Sequence, residues 1–139
     1  MTEFSRQFGG QPEALKESRD FLNEVLAQIG WEDREIDLQL AIGEVMQNVI
    51  RYGFEGGRDD GIITIDFQFE GKILSCSIRD NTPASNPDEW MLRAAARRPN
   101  EGGHGLRIIE AIADSYEVIP SDDGNTSKLV FSENTEQVQ

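Results

Sequence analysis

The stretch from Asp33 to Tyr52 constrains this chain most. Ile36, Leu38, Leu40, Ala41, Ile42, Val45, Met46, Val49 and Ile50 wrap almost the whole circumference of a helix there. A helix apolar nearly all round belongs in an interior, so the fold must supply material on more than one side of it. Yet Asp37, Glu44, Asn48 and Arg51 fall on one stripe, and Glu44 and Asn48 stand one turn apart. A polar stripe on a buried helix needs something to face. From the helix alone, a narrow solvated edge and a ligand site stay equally open.

The flanking segments supply the other layer. Thr2 to Phe8 reads as a short edge strand, broken by Gly9-Gly10. Pro12 suits a helix start, and Leu15, Ser18, Leu22, Val25 and Ile29 come next at helical spacing up to Gly30. Gly53 is placed to cap the second helix. Ile63, Ile65, Phe67 and Phe69 alternate with polar residues, Glu70-Gly71 reads as a tight hairpin turn, and Leu74, Cys76 and Ile78 return. Asn86-Pro87-Asp88-Glu89 has the features of a helix start inside a long loop. Gly105 to Asp114 reads as a third main helix, with Leu106, Ile109, Ile112 and Ala113 inward. Tyr116–Ile119 and Ser127–Phe131 close the chain as strands around a turn at Asp123-Gly124-Asn125. This order predicts an α+β two-layer sandwich, three main helices on one face of a mixed, mostly antiparallel sheet. All 139 residues are expected to form a single domain with a polar tail from Glu133.

Charge narrows the function classes. Acidic residues outnumber basic ones 26 to 13, for a net charge of −13. That argues against a nucleic-acid backbone or an anionic membrane surface as partner. No apolar run approaches the roughly 18 residues of a membrane span, and the start MTEFSRQF lacks a signal-peptide core. Cys76 is alone and cannot form an internal disulfide, and it reads as a core thiol. A cytoplasmic location is the expectation. A single histidine, His104, excludes a histidine-cluster metal site.

Two further features stand beside the polar stripe. Gly102-Gly103-His104-Gly105-Leu106 directly precedes a helix, where glycines and free amides favour an anion. Asp80 ends a central strand and opens the long loop, so its carboxylate can accept from an amino group on a ring or make a local turn bond.

Glu-x-x-x-Asn on a helix, Asp after a strand and Gly-x-Gly before a helix occur here in that order. In the segments AIGEVMQNVIRYGF, SIRDNTPASNP, GGHGLRIIEAIADSYEV and GNTSKLVFS, the chain resembles the Bergerat ATP-binding fold of the GHKL superfamily. Within it, the chain is similar to the small anti-sigma-factor serine/threonine kinases, along essentially its whole length. The resemblance implies ATP and Mg²⁺ as cofactors. It implies Asn48 as the Mg²⁺ ligand, Glu44 as the catalytic base or water-orienting carboxylate, and Asp80 as the acceptor for the adenine amine. Gly103 and Gly105, with His104 and Leu106 beside them, fall in the phosphate motif, and Arg51 falls on the nucleotide side of the stripe. Residues 81–102 correspond to a lid, which carries Arg93, Arg97 and Arg98. Thr82 stands where the family usually has the glycine of Asp-x-Gly, so the base can sit differently or receive a bond from the Thr82 hydroxyl.

The function implied is an ATP-dependent protein serine/threonine kinase acting as an anti-sigma factor in a partner-switching circuit. It would phosphorylate a serine on a STAS-domain antagonist, hold a sigma factor or other regulator, and form a homodimer. The competing reading is a catalytically inactive interaction module, with or without nucleotide, which Thr82 keeps open.

Overall fold

In the computed structural model, residues 1–82 and 105–133 are described. Strand β1 (Thr2–Gly10) leads to helix α1 (Glu13–Ile29) and a short 3₁₀ turn at Glu32–Arg34. Helix α2 (Glu35–Asn48) runs into a wider π turn at Val49–Gly53. Strands β2 (Arg58–Glu70) and β3 (Ile73–Asp80), helix α3 (Gly105–Ile112), and strands β4 (Ser115–Ser121) and β5 (Gly124–Ser132) complete the order. The sheet order is β1-β2-β3-β5-β4, and each of these pairings is antiparallel. Three helices pack on one face of this open sheet, as the α+β sandwich reading requires.

Alternation assigns the faces. Ile63, Ile65 and Phe67 on β2, Leu74, Cys76 and Ile78 on β3, and Leu129 and Phe131 on β5 are buried toward the helices. They join Phe21, Leu22, Val25 and Leu26 of α1 and Leu38, Ala41, Ile42, Val45 and Met46 of α2 in one core. The opposite face is polar, with Arg79 donating to Asp66 at 2.9 Å and Ser5 donating to the same carboxylate. Burial pushes the Cys76 thiol far up, which suits its reading as an inert core group.

Several local expectations change. Helix α2 is not buried all round: Ile36 is 75% and Leu40 48% exposed. They lie on a groove shared with Leu15 and Arg19 of α1, on the side away from the sheet. Two layers cover only two sides of a helix, and periodicity does not reveal which side lacks a cover. Gly9-Gly10 does not end β1: the strand continues with a register shift, and Gly10 pairs with Arg58. A Cβ on Gly10 would lie 2.8 Å from Gly61 Cα and 2.9 Å from the Phe54 ring, so these glycines let two strands close over a buried phenylalanine. Gly53 does not cap α2. The π turn ends with Phe54 N–H donating to Val49 O at 2.9 Å, and the left-handed residues are Glu55 and Gly56.

The hairpin loops shift by one residue. The β2–β3 loop is Gly71-Lys72, with Gly71 at φ +64°, and the β4–β5 loop is Asp122-Asp123. Gly124 and Asn125 therefore belong to β5 and not to the turn. The segment from Asn86 to Glu89 lies outside the described residues, as do 134–139 of the tail. Glu133 itself is tied down, its N–H donating to Lys72 O at 2.8 Å. No described helix is long and apolar enough to cross a membrane.

Candidate functional site

Asp80 continues the inward series Leu74, Cys76 and Ile78, so its carboxyl faces the helix layer at the end of β3 and is 7% exposed. A buried carboxylate needs donors. Thr82 supplies two to Asp80 Oδ1: its N–H at 3.0 Å and its hydroxyl at 2.6 Å. Asn125 stands opposite Asp80 across the β3–β5 ladder, and its Nδ2 donates to Thr82 Oγ1 at 2.6 Å. Thr82 and Asn125 are themselves buried. Burial pushes the Asp80 carboxyl above its ordinary value, and the bonds from Thr82 and Asn125 pull it back. Among the described residues, Asp80 Oδ2 and Asn125 Oδ1 meet no hydrogen-bond partner.

Two neighbours hold this cluster in place. Asn81 reaches back to β2: its Oδ1 accepts from Ile62 N–H at 2.7 Å, and its Nδ2 donates to Asp60 O at 3.0 Å. Thus the chain leaves β3 in a defined direction. Gly124 adopts φ +146°, and a Cβ there would lie 1.8 Å from Asp80 O. Only glycine allows β5 to come this close to the end of β3.

The other predicted residues lie on α2 and just beyond it. Glu44 and Asn48 are both half-buried, one turn apart on one face. Burial pushes the Glu44 carboxyl up, and the charge of Arg51 opposes that shift. Arg51 sits exposed on the π turn, its guanidinium carbon 6.0 Å from the centre of the Tyr52 ring. The extra residue of a π turn rotates the side chains beyond it, a feature frequent at functional sites. Asp37, at the other end of the stripe, is exposed.

Helix α3 opens at Gly105, packs against α2, and carries a half-buried Leu106. Gly103 and His104 lie outside the described residues, as does the lid from residue 83 onward with Arg93, Arg97 and Arg98. Two groups stand out among the described residues: Glu44 and Asn48 on one face of α2, and the hydrogen-bonded cluster of Asp80, Thr82 and Asn125 at the end of β3.

Asn125 is the residue that sequence reasoning misses. Turn chemistry places it in the Asp123-Gly124-Asn125 loop, and the only signal against that is its parity with Ser127, Leu129 and Phe131. The Thr82 hydroxyl also differs from expectation: it is engaged within the cluster, giving its proton to Asp80 and accepting from Asn125.

The pattern of the histidine kinase-like ATPase domain matches residues 8–131. The chain belongs to that family. This bears out the resemblance carried by the three motifs, and the family's fold is that of kinase and ATPase domains. No curated protein matches the sequence. Among solved structures, the RsbU and RsbW domains of Rv1364c from Mycobacterium tuberculosis share the fold, with a TM-score of 0.69 at 19% identity over 95% of this chain and 32% of that one. The histidine kinase domain of the blue-light activated histidine kinase EL346 from Erythrobacter litoralis aligns with a TM-score of 0.55 at 16% identity, over 85% of this chain and 60% of that one. The chain thus spans about a third of the first and three-fifths of the second.

The donor set suits a nucleotide and its metal. Asp80 Oδ2 is a buried acceptor that meets no donor among the described residues. The amide oxygen of Asn48 is a hard ligand of the type Mg²⁺ takes, one or two from protein and the rest from phosphates and water. Among the described residues no group of three or more His, Cys, Asp or Glu could chelate a metal without such help.

Proposed function

We propose that this chain is an ATP-dependent protein serine/threonine kinase acting in a partner-switching circuit of the cytoplasm. Its substrate is a serine on a STAS-type antagonist, its second partner is a sigma factor or similar regulator, and it works as a homodimer. The observation that carries the nucleotide reading is Asp80 Oδ2, a buried acceptor at the end of a central strand that meets no donor among the described residues. An exocyclic base amine satisfies it. Asn48 is the protein ligand of Mg²⁺, and Gly103 and Gly105 bring backbone amides to the phosphates. Mg²⁺ bound with the nucleotide neutralises its charge, which an acidic protein otherwise repels.

Glu44 is the general base. Desolvation raises its carboxyl, which makes the ionised form a better proton acceptor near neutral pH. As the serine Oγ bonds to the γ-phosphorus and ADP leaves, Glu44 takes the hydroxyl proton. Arg51 tempers the base through its charge.

A second reading rests on Thr82, which fills the cluster where the family has glycine. In that reading the domain binds nucleotide and partners without transferring phosphate. Calorimetric titration with ATP and ADP, with and without Mg²⁺, tests the site. Metal-dependent binding that Asn48→Ala abolishes, with the fold intact by circular dichroism, supports it. Unchanged affinity in Asn48→Ala removes that residue from the site. Phosphotransfer to an antagonist serine then separates the kinase from the inactive module.

A further inference from the structure

The point at which the chain leaves the sheet is set by the residue after Asp80. Strands β2 and β3 pair antiparallel from Glu70–Ile73 up to Ile63–Asp80. By the alternation of an antiparallel ladder, the next rung, Ile62 opposite Asn81, would exchange two main-chain bonds. One of them is made: Asn81 N–H donates to Ile62 O at 3.3 Å. The Ile62 N–H goes instead to the Asn81 side chain, to Oδ1 at 2.7 Å, while Nδ2 donates to Asp60 O at 3.0 Å. The side-chain oxygen thus takes the place of Asn81's own carbonyl, and the main chain is free to part from β2 there. Both partners of the amide are main-chain groups, one N–H and one C=O, so they fix which way it points. An ionised aspartate would lack the donor, and alanine would lack both groups.

The consequence falls on Asp80. Parted from β2, the chain turns so that the Thr82 N–H and hydroxyl reach Asp80 Oδ1 at 3.0 and 2.6 Å. On the other flank, Gly124 of β5 closes on Asp80 O. With the Asn81 amide removed, the Ile62 N–H takes the main-chain carbonyl of residue 81, and the ladder runs one rung further. Thr82 is then carried along β2, away from the carboxyl it holds. Resting on the reading of Asp80 as the acceptor for a base amine, we propose that Asn81 is a positioning residue of the nucleotide site. It acts through Asp80: its amide peels the chain from the sheet, and the turn that follows sets the carboxyl that reads the base.

The test is calorimetric titration of the full chain, with Mg²⁺, against ATP and against purine riboside triphosphate, which carries hydrogen in place of the exocyclic amine. The parent is expected to prefer ATP about tenfold, the value of one hydrogen bond to a charged acceptor. Asn81→Ala should lose that preference, with ATP weakened about tenfold and the analogue held within about twofold. Asn81→Asp keeps the acceptor for Ile62 N–H and loses the donor to Asp60 O, so its preference should fall between the two. It also serves if the alanine variant does not fold. An Asn81 that only stabilises the sheet would lower both affinities alike and leave their ratio unchanged. A preference for ATP kept in full by the folded variants therefore overturns the inference while the nucleotide site stands. If the parent binds neither nucleotide, or both equally, the reading of Asp80 fails and the inference falls with it.

Discussion

Gly124→Ala probes how the end of the sheet is built. The new methyl would sit 1.8 Å from Asp80 O and 2.9 Å from Asn81 Cα, both main-chain atoms. No side-chain rotation relieves that contact, so β3 and β5 must part by more than an ångström at the Asp80–Asn125 pair. The backbone also sits at φ +146°, a region essentially reserved for glycine. Strain of this kind costs about 1–3 kcal/mol, and overpacking costs another ~1–3 kcal/mol. A total of about 4 kcal/mol is a large share of the usual 5–15 kcal/mol of a domain's stability.

Gly30→Ala is the control. Gly30 has φ +78° with nothing within 4 Å of its Cβ position, so it reports the dihedral cost alone, about 1–2 kcal/mol. Urea unfolding of both variants gives the two values. If Gly124→Ala costs no more than Gly30→Ala, the close approach of β5 to Asp80 is refuted. The same displacement pulls Asn125 from Thr82, so any remaining folded protein should bind nucleotide more weakly.

Glu44→Gln should keep nucleotide binding and lose phosphotransfer, and full activity would remove Glu44 as the base. The native Glu44 pKa is raised, so the native state holds its proton more tightly than the unfolded chain and stability falls as pH rises through that value. Glu44→Gln should therefore be more stable than the parent at neutral pH. That gain should vanish in acid below the ordinary glutamate value of 4.5, as chemical denaturation at two pH values would show. Tyr116 is pushed up to about 12 by burial, against a bond with Ser127. Its raised value adds stability that is fully present below pH 10 and is lost as pH climbs toward 12. Ultraviolet titration should show a late ionisation that Tyr116→Phe removes, and loss of an ordinary-range step in that variant, with no late step in the parent, would contradict that burial.

The features legible in the sequence are those that neighbours along the chain decide. The alternation of Ile63, Ile65 and Phe67 and the helical spacing of Ser18, Leu22 and Val25 report one buried face each, because the backbone repeat sets side-chain direction. The same logic locates Asp80 at a strand end and puts Glu44 and Asn48 on one helix face. Hairpin loops are displaced by a residue because either of two adjacent positions satisfies the turn chemistry, and the ladder chooses between them. The exposure of Ile36 and Leu40 is not legible, since an apolar residue carries no record of whether anything is packed over it. Nor is the bond from Asn125 to Thr82, whose partners stand 43 residues apart. Sequence alone determined the candidate groups and, for the described ones, the local element that holds each. Tertiary structure decided which of them meet, because the pairing of β3 with β5 rests on long-range hydrogen bonds and on the space that Gly124 leaves open, and neither has a local signature.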